Sequence, residues 1–341
     1  MKYRTLGTTG VEVSCLGLGA MTFGEPTPGS MMHGLGCDVP TSHAILDRAL
    51  ERGVNFVDVA DVYGNDGLSE RVVGEWLEKD RNRDRVVLAT KFRFRMEAGP
   101  NGVGASRYRI MRTVEASLRR LRTDRIDLYQ VHMQDLSTPE EETLRALDDL
   151  VRAGKVLYIG CSNYMGYRLM DALWISKTQG LERFATMQMH YNLLERSIER
   201  EHLPIAREKG VGIIPWSPLA GGFLTGKASR GSAPSTQDRL GKFADRFERL
   251  DTDKNWKVLE AVREIARRRG TTPSAVSLAW LLSRREVSSV IFGARNLEQL
   301  DTNLGAADLE LDAAEAKALD EVSAPGLGYP EHMIRNTHGR W

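Results

Sequence analysis

The sequence carries almost no net charge. Its 341 residues include 47 basic and 46 acidic side chains, which leaves a formal charge of +1 at neutral pH. A protein with so small an excess creates no overall electric field that would attract a polyanion or an anionic membrane surface. We therefore expect neither a nucleic acid nor a membrane as a partner.

Long hydrophobic runs and paired cysteines are missing as well. No uninterrupted apolar stretch approaches the roughly 18 residues that a membrane-spanning helix needs. The N-terminal segment MKYRTLGTTG has no apolar core of a signal peptide. The three cysteines are an odd number without the spacing of a metal site, which fits a reducing compartment. These absences predict a soluble cytoplasmic protein.

The three cysteines lie in two kinds of surroundings. Cys15 and Cys161 belong to apolar, strand-like segments, where we expect buried and unreactive thiols. Cys37 belongs to a glycine-rich loop, so we expect it to be the thiol that is open to oxidation.

Two motifs that define other classes of site are absent. The seven histidines form neither an H-x-x-x-H nor an H-x-E pattern, which argues against a metal site. Gly17 and Gly19 are followed by Thr22 where the third glycine of the G-x-G-x-x-G dinucleotide fingerprint would stand. A doubly wound sheet is therefore the second choice of fold.

Apolar, strand-like runs alternate with amphipathic helical patterns along most of the chain. After a short hairpin at residues 3–6 and 11–13, the strand candidates are residues 15–21, 55–59, 86–91, 126–131, 156–160, 185–190, 211–215 and 288–292. The helical patterns cover residues 42–52, 68–79, 106–121, 139–153, 164–178, 197–209, 253–269, 273–283 and 297–305. Eight strands that each feed a helix predict an α/β fold of the (β/α)8 TIM-barrel type, with one domain over residues 1–341.

Several connections in this pattern are unusually long. They are residues 24–40, 92–105 and 220–250, and a tail at residues 323–341 contains Tyr329, His332, Met333 and Trp341. Long loops on a compact barrel are usually binding elements or lids. We expect the tail to fold over the mouth of the barrel.

Four chemically active side chains fall where barrel strands should end. They are Asp58, Tyr63, Lys91 and His132. An ammonium stabilises a phenolate, and a carboxylate keeps that ammonium charged, so the first three can tune the phenol for proton transfer. The imidazole can orient a carbonyl oxygen. Each residue alone is more often structural, but enzymes of this fold place their active sites on the loops after the strands, where all four converge.

Lys91 also permits a second interpretation, as the amine nucleophile of a Schiff-base aldolase. Asp58 argues against it, because a neighbouring carboxylate holds the amine charged and unreactive.

The chain resembles the aldo-keto reductase family nearly from end to end. The matching segments are LGLGAMTFG (16–24), FVDVADVYG (56–64), LATK (88–91), LYQVH (128–132), GCSN (160–163), QMHYN (188–192), PWSPLAGGFLTGK (215–227) and GARNLEQLDTN (293–303). The resemblance implies that Tyr63 is a general acid, Lys91 its pKa-lowering partner, Asp58 the partner of Lys91, and His132 the group that orients the carbonyl.

The same resemblance implies a nicotinamide dinucleotide as cofactor. The residues matched to its site are Ala20, Met21, Thr22, Asp58, Ser162, Asn163, Gln188, Trp216, Ser217, Leu219, Gly221, Lys227, Gly293, Arg295, Gln299 and Asn303. In the family, the residues matching Ser162, Asn163 and Gln188 bind the carboxamide, and an aromatic ring at position 216 stacks on the nicotinamide. Without the family, Trp216 is equally well a core aromatic.

The adenosine end decides between NADPH and NADH. Ser217, Leu219 and Gly221 match a loop whose amides bind the pyrophosphate, while Gln299 and Asn303 match residues near the adenine. Lys227 and Arg295 together can neutralise a 2′-phosphate, which favours NADPH over NADH. Many family members carry lysine, arginine and glutamate where this chain has Gly293, Gln299 and Thr302, and these departures weaken the preference.

The resemblance implies reduction of a small-molecule aldehyde or ketone to an alcohol. Sugar ketones, terpenoid or polyketide ketones and small aldehydes all fit the loops, and both the substrate and the oligomeric state stay open. The family also includes the cytoplasmic beta subunits of potassium channels. A slow or non-catalytic protein that senses nucleotides is therefore the alternative function.

Overall fold

The computed structural model describes residues 1–28, 30, 32–232, 234–235 and 238–337 of the chain. It begins with an antiparallel hairpin of β1 (Tyr3–Thr5) and β2 (Glu12–Ser14), as predicted. Arg4 of this hairpin donates to the carbonyl oxygen of Val287 at 2.8 Å, next to the last barrel strand. The hairpin is thereby attached to the barrel.

The next eight strands run parallel and form one sheet in the order β10-β3-β4-β5-β6-β7-β8-β9. They are β3 (Leu16–Gly19), β4 (Phe56–Asp58), β5 (Val87–Phe92), β6 (Ile126–Val131), β7 (Val156–Ser162), β8 (Phe184–His190), β9 (Gly212–Trp216) and β10 (Val290–Phe292). The two end strands approach each other, since the amide of Ser288 donates to the carbonyl of Ile213 at 2.8 Å. The predicted (β/α)8 barrel is confirmed, and the doubly wound sheet is wrong.

Helices surround this barrel. In the described part of the chain they are α1 (Val39–Glu51), α2 (Leu68–Leu77), α3 (Arg107–Leu121), α4 (Glu140–Arg152), α5 (Gly166–Gln179), α6 (His202–Lys209), α7 (Arg239–Lys242), α8 (Ala244–Leu250), α9 (Asp253–Arg268), α10 (Pro273–Leu282), α11 (Leu297–Leu304), α12 (Ala313–Val322) and α13 (Glu331–Thr337). Several begin at a capping side chain. Asp38, Ser106 and Thr252 each accept a hydrogen bond from the amide three residues later, which satisfies a free donor of the first turn.

The helix predicted at residues 197–209 is interrupted. The structure has a short 3₁₀ turn at Ser197–Glu199 and then α6. Pro204 is the cause, because proline has no amide to donate to the carbonyl of Arg200 and its ring collides with that carbonyl in a continuous helix. A proline is tolerated in the first turn of α6, where the amide has no partner within the helix.

The long connections are more ordered than predicted. Residues 220–250 contain a 3₁₀ segment at Ala220–Thr225 as well as α7 and α8. The tail contacts the connection between β8 and α6, where Arg200 and Glu331 form an ion pair at 2.9 Å. Trp341 lies outside the described residues.

Two apolar clusters lie on either side of the sheet. The larger fills the space between strands and helices. The smaller lies inside the barrel at the hairpin end, where Leu6 and Val13 pack with Phe56, Leu128 and Ile214, all fully buried. Because side chains fill this end of the barrel, the site has to lie at the other end, where the strands finish.

All three cysteines are buried, free thiols. Cys37 is only 8 % exposed, and its Sγ lies 3.3 Å from the hydroxyl of Ser42. Burial raises the pKa of the Cys37 thiol, so the expectation that it is open to oxidation is wrong. Among the helices of the described residues, none has both the length and the apolar character needed to cross a bilayer.

Candidate active site

Lys91 lies at the centre of a hydrogen-bonded group at the carboxyl end of the barrel. Its ammonium donates to Asp58 Oδ2 at 2.7 Å, to the carbonyl of Val59 at 2.8 Å and to the hydroxyl oxygen of Tyr63 at 3.2 Å. The side chain is completely buried. An ammonium has three protons, and Lys91 uses all three. The phenol oxygen of Tyr63 accepts from Lys91, which leaves its own proton free to be donated elsewhere.

Asp58 is held by two amides in addition to Lys91. Its second oxygen, Oδ1, accepts from Nε2 of Gln188 at 2.9 Å and from Nε2 of Gln130 at 3.3 Å. The sequence interpretation missed Gln130. A signal for it was present, because Gln130 stands two residues before His132 and alternate residues of a strand point to the same face. Both amides fix the direction of the carboxylate.

The pKa of Tyr63 differs from expectation. Burial raises the pKa of Tyr63 above its ordinary value, and the opposing effect of Lys91 does not overcome it. Lys91 lowers the phenol pKa, as expected, but the pKa stays above its ordinary value because the phenolate loses more hydration on burial than the ammonium replaces. Tyr63 is protonated at neutral pH, as a proton donor must be.

Burial alone would lower the pKa of Lys91, but the attraction of Asp58 and Tyr63 outweighs it, so that the pKa is raised. A permanently charged amine is no nucleophile, and this speaks against the Schiff-base interpretation.

His132 stands beside the phenol as a neutral imidazole. Its ring meets that of Tyr63 edge-on at 5.8 Å and that of Phe94 at 4.7 Å between centroids. Burial and the nearby Lys91 hold the pKa of His132 well below its usual range. The Nδ1 atom is buried and has no hydrogen-bond partner among the described residues. A neutral imidazole in this place can donate to a carbonyl oxygen or relay a proton.

Next to the tetrad of Asp58, Tyr63, Lys91 and His132, the ends of β7 and β9 carry the predicted nicotinamide residues. The indole Nε1 of Trp216 donates to Asn163 Oδ1 at 3.1 Å, and Asn163 Nδ2 donates to Ser162 Oγ at 2.9 Å. These three residues are thus brought together. Gln188 is adjacent but turns its amide to Asp58, as described above.

The loop after β9 is the segment that the sequence resemblance assigns to the pyrophosphate, and we call it the anion-binding turn. Ser217 and Ala220 have φ values of 54° and 50°, and Gly221 and Gly222 follow at 69° and 111°. The amide of Ala220 donates to the carbonyl of Ser217 at 3.0 Å, and the amide of Gly222 donates to the carbonyl of Leu219 at 2.9 Å. The hydroxyl of Ser217 accepts from the amide of Gly221 at 3.2 Å, which closes the turn. Leu219, also predicted for this site, is partly buried within it.

Arg239 on α7 is a second residue near the site that the sequence interpretation missed. It is half-buried, and its Nε has no hydrogen-bond partner among the described residues. Burial and the neighbouring Arg246 lower its pKa to about 10, while Tyr63 and Arg295 also lie within electrostatic range. A guanidinium nitrogen that is buried without a partner costs free energy, and an anionic ligand that bonds to the group would remove that cost. The sequence signal is the length of the connection at residues 220–250, which is typical of a binding element or lid but does not single out Arg239.

The remaining predicted residues lie in the turn between β10 and α11, on α11 itself and after the 3₁₀ segment. We call the carboxyl end of the barrel, with the loops that follow its strands, the cleft. The amide of Arg295 donates to Gln299 Oε1 at 3.0 Å, and Asn303 Nδ2 donates to the carbonyl of Gly293 at 3.3 Å. These contacts stiffen the turn between β10 and α11. The backbone at Gly293 borders open space, where even a β-carbon would touch nothing within 4 Å. The side chain of Lys227 is exposed.

The residues that follow β3 lie beside Asp58 at the same end of the barrel. The amide of Ala20 donates to the carbonyl of Asp58 at 2.8 Å, and Met21 follows as a partly buried residue. The hydroxyl of Thr22 is buried without a partner among the described residues. The same described residues contain no cluster of side chains suited to a metal ion.

The chain is similar in sequence to known proteins. The sequence model of the Aldo/keto reductase family matches residues 15–324. The chain belongs to the aldo/keto reductase family. One similar protein is the uncharacterised oxidoreductase YrpG of Bacillus subtilis, which is 39 % identical over 97 % of this chain and 99 % of its own length.

Two further relatives differ from each other in name. Norsolorinic acid reductase of Aspergillus flavus is 32 % identical over 97 % of this chain and 83 % of its own length. A probable voltage-gated potassium channel subunit beta of Arabidopsis thaliana is 35 % identical over 91 % of this chain and 92 % of its own length. The family and these relatives show that this aldo/keto reductase is an oxidoreductase. Carbonyl reduction with a nicotinamide cofactor is the general chemistry of the family.

The described residues fit such a cofactor. Among the residues that the structure describes, Thr22 Oγ1 and Arg239 Nε are buried polar atoms without partners. The left-handed residues Gly221 and Gly222 have no side chain that would obstruct a ligand, and the indole of Trp216 supplies a flat apolar surface. A dinucleotide is a ligand with an anionic middle and a planar end, which these features complement.

Proposed function

We propose that this aldo/keto reductase reduces an aldehyde or ketone to an alcohol with NADPH, and that Tyr63 is the general acid. One observation carries the proposal: Lys91 donates to the phenol oxygen of Tyr63 at 3.2 Å, so the phenol proton is free for a substrate oxygen. Asp58 holds Lys91 charged from the other side at 2.7 Å. The three residues form a chain that ends in a single available proton.

The side chains divide the work of proton transfer. The nucleotide, when bound, supplies a hydride to the carbonyl carbon. Tyr63 gives its proton to the carbonyl oxygen, and Lys91 compensates the negative charge that remains on the phenol oxygen. His132, as a neutral donor, directs the carbonyl oxygen toward Tyr63. The product oxygen leaves as a hydroxyl, and solvent returns a proton to Tyr63.

The preference for NADPH rests on the cations of the cleft. Arg239, whose Nε has no partner among the described residues, is the candidate for the pyrophosphate, and Arg295 and Lys227 are the candidates for the 2′-phosphate. A 2′-phosphate is a dianion that two cations bind through charge-assisted hydrogen bonds. NADH lacks this group, so it would leave Arg295 and Lys227 without a partner.

The test is the change Tyr63→Phe, which removes the acidic proton and keeps the ring. Nucleotide oxidation is followed by absorbance with NADPH or NADH across a panel of aldehydes and ketones. We expect the wild type to consume NADPH with some carbonyl, and the variant to lose about 10²–10⁴-fold of that rate while nucleotide affinity is kept. Tyr3→Phe is the matched control, because the Tyr3 hydroxyl bonds Gly53 at the opposite end of the molecule.

Two other outcomes would contradict the proposal. An undiminished rate in Tyr63→Phe would show that another group supplies the proton. If the wild type binds NADPH tightly but reduces no carbonyl of the panel, a nucleotide-sensing role becomes the better explanation. Such a role is suggested by the name of the Arabidopsis relative.

A further inference from the structure

The indole of Trp216 is backed by a second ring. The imidazole of His190 stacks on it with 4.3 Å between centroids and an angle of 14° between the planes. His190 and Trp216 are register partners in the pairing of β8 with β9, so the sheet itself places the two rings side by side. Since His190 covers one face of the indole, only the opposite face can receive a planar ligand.

Asn192 connects this stack to the loop after β9. Its amide is buried, with 1 % exposure, and Nδ2 lies 3.2 Å from His190 Nε2 and 3.0 Å from the carbonyl oxygen of Ser217. Its Oδ1 accepts from the amides of Leu194 at 2.8 Å and Glu195 at 3.0 Å. The two acceptor contacts fix which end of the side chain is oxygen. Every donor and acceptor of this side chain is therefore in use.

These contacts also define the state of the imidazole. Nδ2 of Asn192 can only donate, so His190 Nε2 must accept and the ring must be neutral, with its proton on Nδ1. Burial lowers the pKa of His190, Glu195 opposes this, and Arg246 lowers the pKa further. A neutral ring stacks on the indole without bringing a positive charge close to the site of the nicotinamide.

We propose that His190 and Asn192 are positioning residues for the nicotinamide end of the cofactor site. His190 fixes the plane of Trp216, and Asn192 holds both His190 and the carbonyl of Ser217, where the anion-binding turn begins. The inference rests on the proposed function, because it states how the same site orients its nucleotide. The platform for the planar end and the turn for the phosphates are joined through one buried amide.

The experiment compares His190→Ala, which removes the stacked ring, with His190→Phe, which restores a flat ring. Acrylamide quenching is measured without ligand, and the signal of Trp216 is isolated by subtracting the spectrum of the same variant carrying Trp216→Phe. We expect the indole to become more accessible to the quencher in His190→Ala and to stay protected in His190→Phe. His43→Ala on α1 is the control, because that imidazole bonds the carbonyl of Val72 away from the site.

The functional half of the experiment uses the same variants with NADPH. We expect His190→Ala to weaken NADPH binding about tenfold and to slow hydride transfer at saturating NADPH by a similar factor. His190→Phe is expected to recover most of both. Asn192→Asp keeps the acceptors for Leu194 and Glu195 but loses both donors, and we expect it to weaken NADPH binding in the same way. Thermal unfolding midpoints verify that each variant is folded.

Several results would overturn the inference. They are equal quenching, affinity and rate in His190→Ala and wild type, or a His190→Phe variant as impaired as His190→Ala. Failure of the proposed function has a different signature, since the wild type itself would then bind no NADPH or reduce no carbonyl. In that case the quenching difference would still report the ring stack, but its role for a nucleotide would be refuted.

Discussion

Asp61 is a single buried carboxyl group that makes the stability of this chain depend on pH. The side chain is completely buried, and neither oxygen has a hydrogen-bond partner among the described residues. Burial and the nearby Glu70 raise its pKa to about 8, against the smaller effects of Arg120 and Arg109. The backbone amide of Asp61 donates to the carbonyl of Lys91 at 3.1 Å, so this group lies directly behind the tetrad.

We predict that the Asp61→Asn variant is more stable than wild type, and that this difference in the free energy of unfolding increases as the pH rises. The unfolded carboxyl ionises near 3.8 and the folded one near 8. Between these values only the unfolded chain releases the proton, so wild type loses stability by up to about 1.4 kcal/mol per pH unit. Asparagine cannot ionise, and the advantage of the variant should increase from pH 4 to pH 8 and then level off. Urea unfolding at several pH values measures this.

The control for that prediction is Asp66→Asn. The side chain of Asp66 is 67 % exposed, so its replacement should give a difference from wild type with little dependence on pH. A constant difference between Asp61→Asn and wild type over the same range would contradict the raised pKa of Asp61.

Single residues also show which part of the site can be inferred from the sequence. Asp58, Tyr63, Lys91 and His132 were predicted from residue type and strand position, and the structure brings their side chains together. The raised pKa of Tyr63 was not predicted, because the hydration that the hydroxyl loses on burial depends on the packing around it. A sequence specifies which charges are neighbours, but not how much water remains between them.

At the scale of elements, the short helix α7 changes the picture of the cleft. Residues 220–250 show no helical or strand period that would have placed it, and α7 itself has only four residues. Leu240 and Arg246 approach within 3.6 Å of the position that a β-carbon on Gly221 would occupy. The segment therefore packs on the anion-binding turn and brings Arg239 to the same side.

We predict that Arg239→Gln weakens NADPH binding by about 10–100-fold, since a charge-assisted contact to a phosphate contributes roughly 1.5–3 kcal/mol. The free energy of unfolding without ligand should stay the same or rise, because the guanidinium has no partner for Nε in the described structure. Fluorescence titration with NADPH measures the first effect and urea unfolding the second.

Lys242→Gln on the same helix serves as the matched control, because Lys242 is exposed. Its affinity for NADPH should remain close to that of wild type. Equal affinity of wild type and Arg239→Gln would refute the assignment of Arg239 to the cofactor.

At the scale of the whole molecule, the two ends of the barrel have separate tasks. The N-terminal hairpin closes one end with Leu6 and Val13, while the tetrad occupies the other. Strand positions and barrel type were predictable because eight parallel strands impose a repeating apolar pattern. The contact of Leu6 with Ile214 and Ile291 was not, because residues that far apart in the chain leave no joint pattern in it.

We predict that Leu6→Ala lowers the free energy of unfolding by about 2–5 kcal/mol, the usual cost of a large cavity in a core. The rate per folded molecule should remain unchanged, because the cavity forms at the end of the barrel opposite the tetrad. Urea unfolding and an active-site titration measure the two quantities. Leu157→Ala, at a residue that is 42 % exposed, is the control and should lose far less stability. A Leu6→Ala protein of full stability would show that the hairpin does not seal the barrel.

The distribution of charge along the cleft has one more consequence. At the reacting end, Asp58 and Lys91 cancel each other, and Tyr63 and His132 are neutral. At the end proposed for the phosphates, Arg246 and Arg295 lie within electrostatic range of Arg239. Dissolved ions weaken attraction between accessible charges over about 10 Å at 0.1 M. Added salt should therefore loosen the hold on the nucleotide, while turnover of the enzyme already saturated with nucleotide proceeds at the same speed.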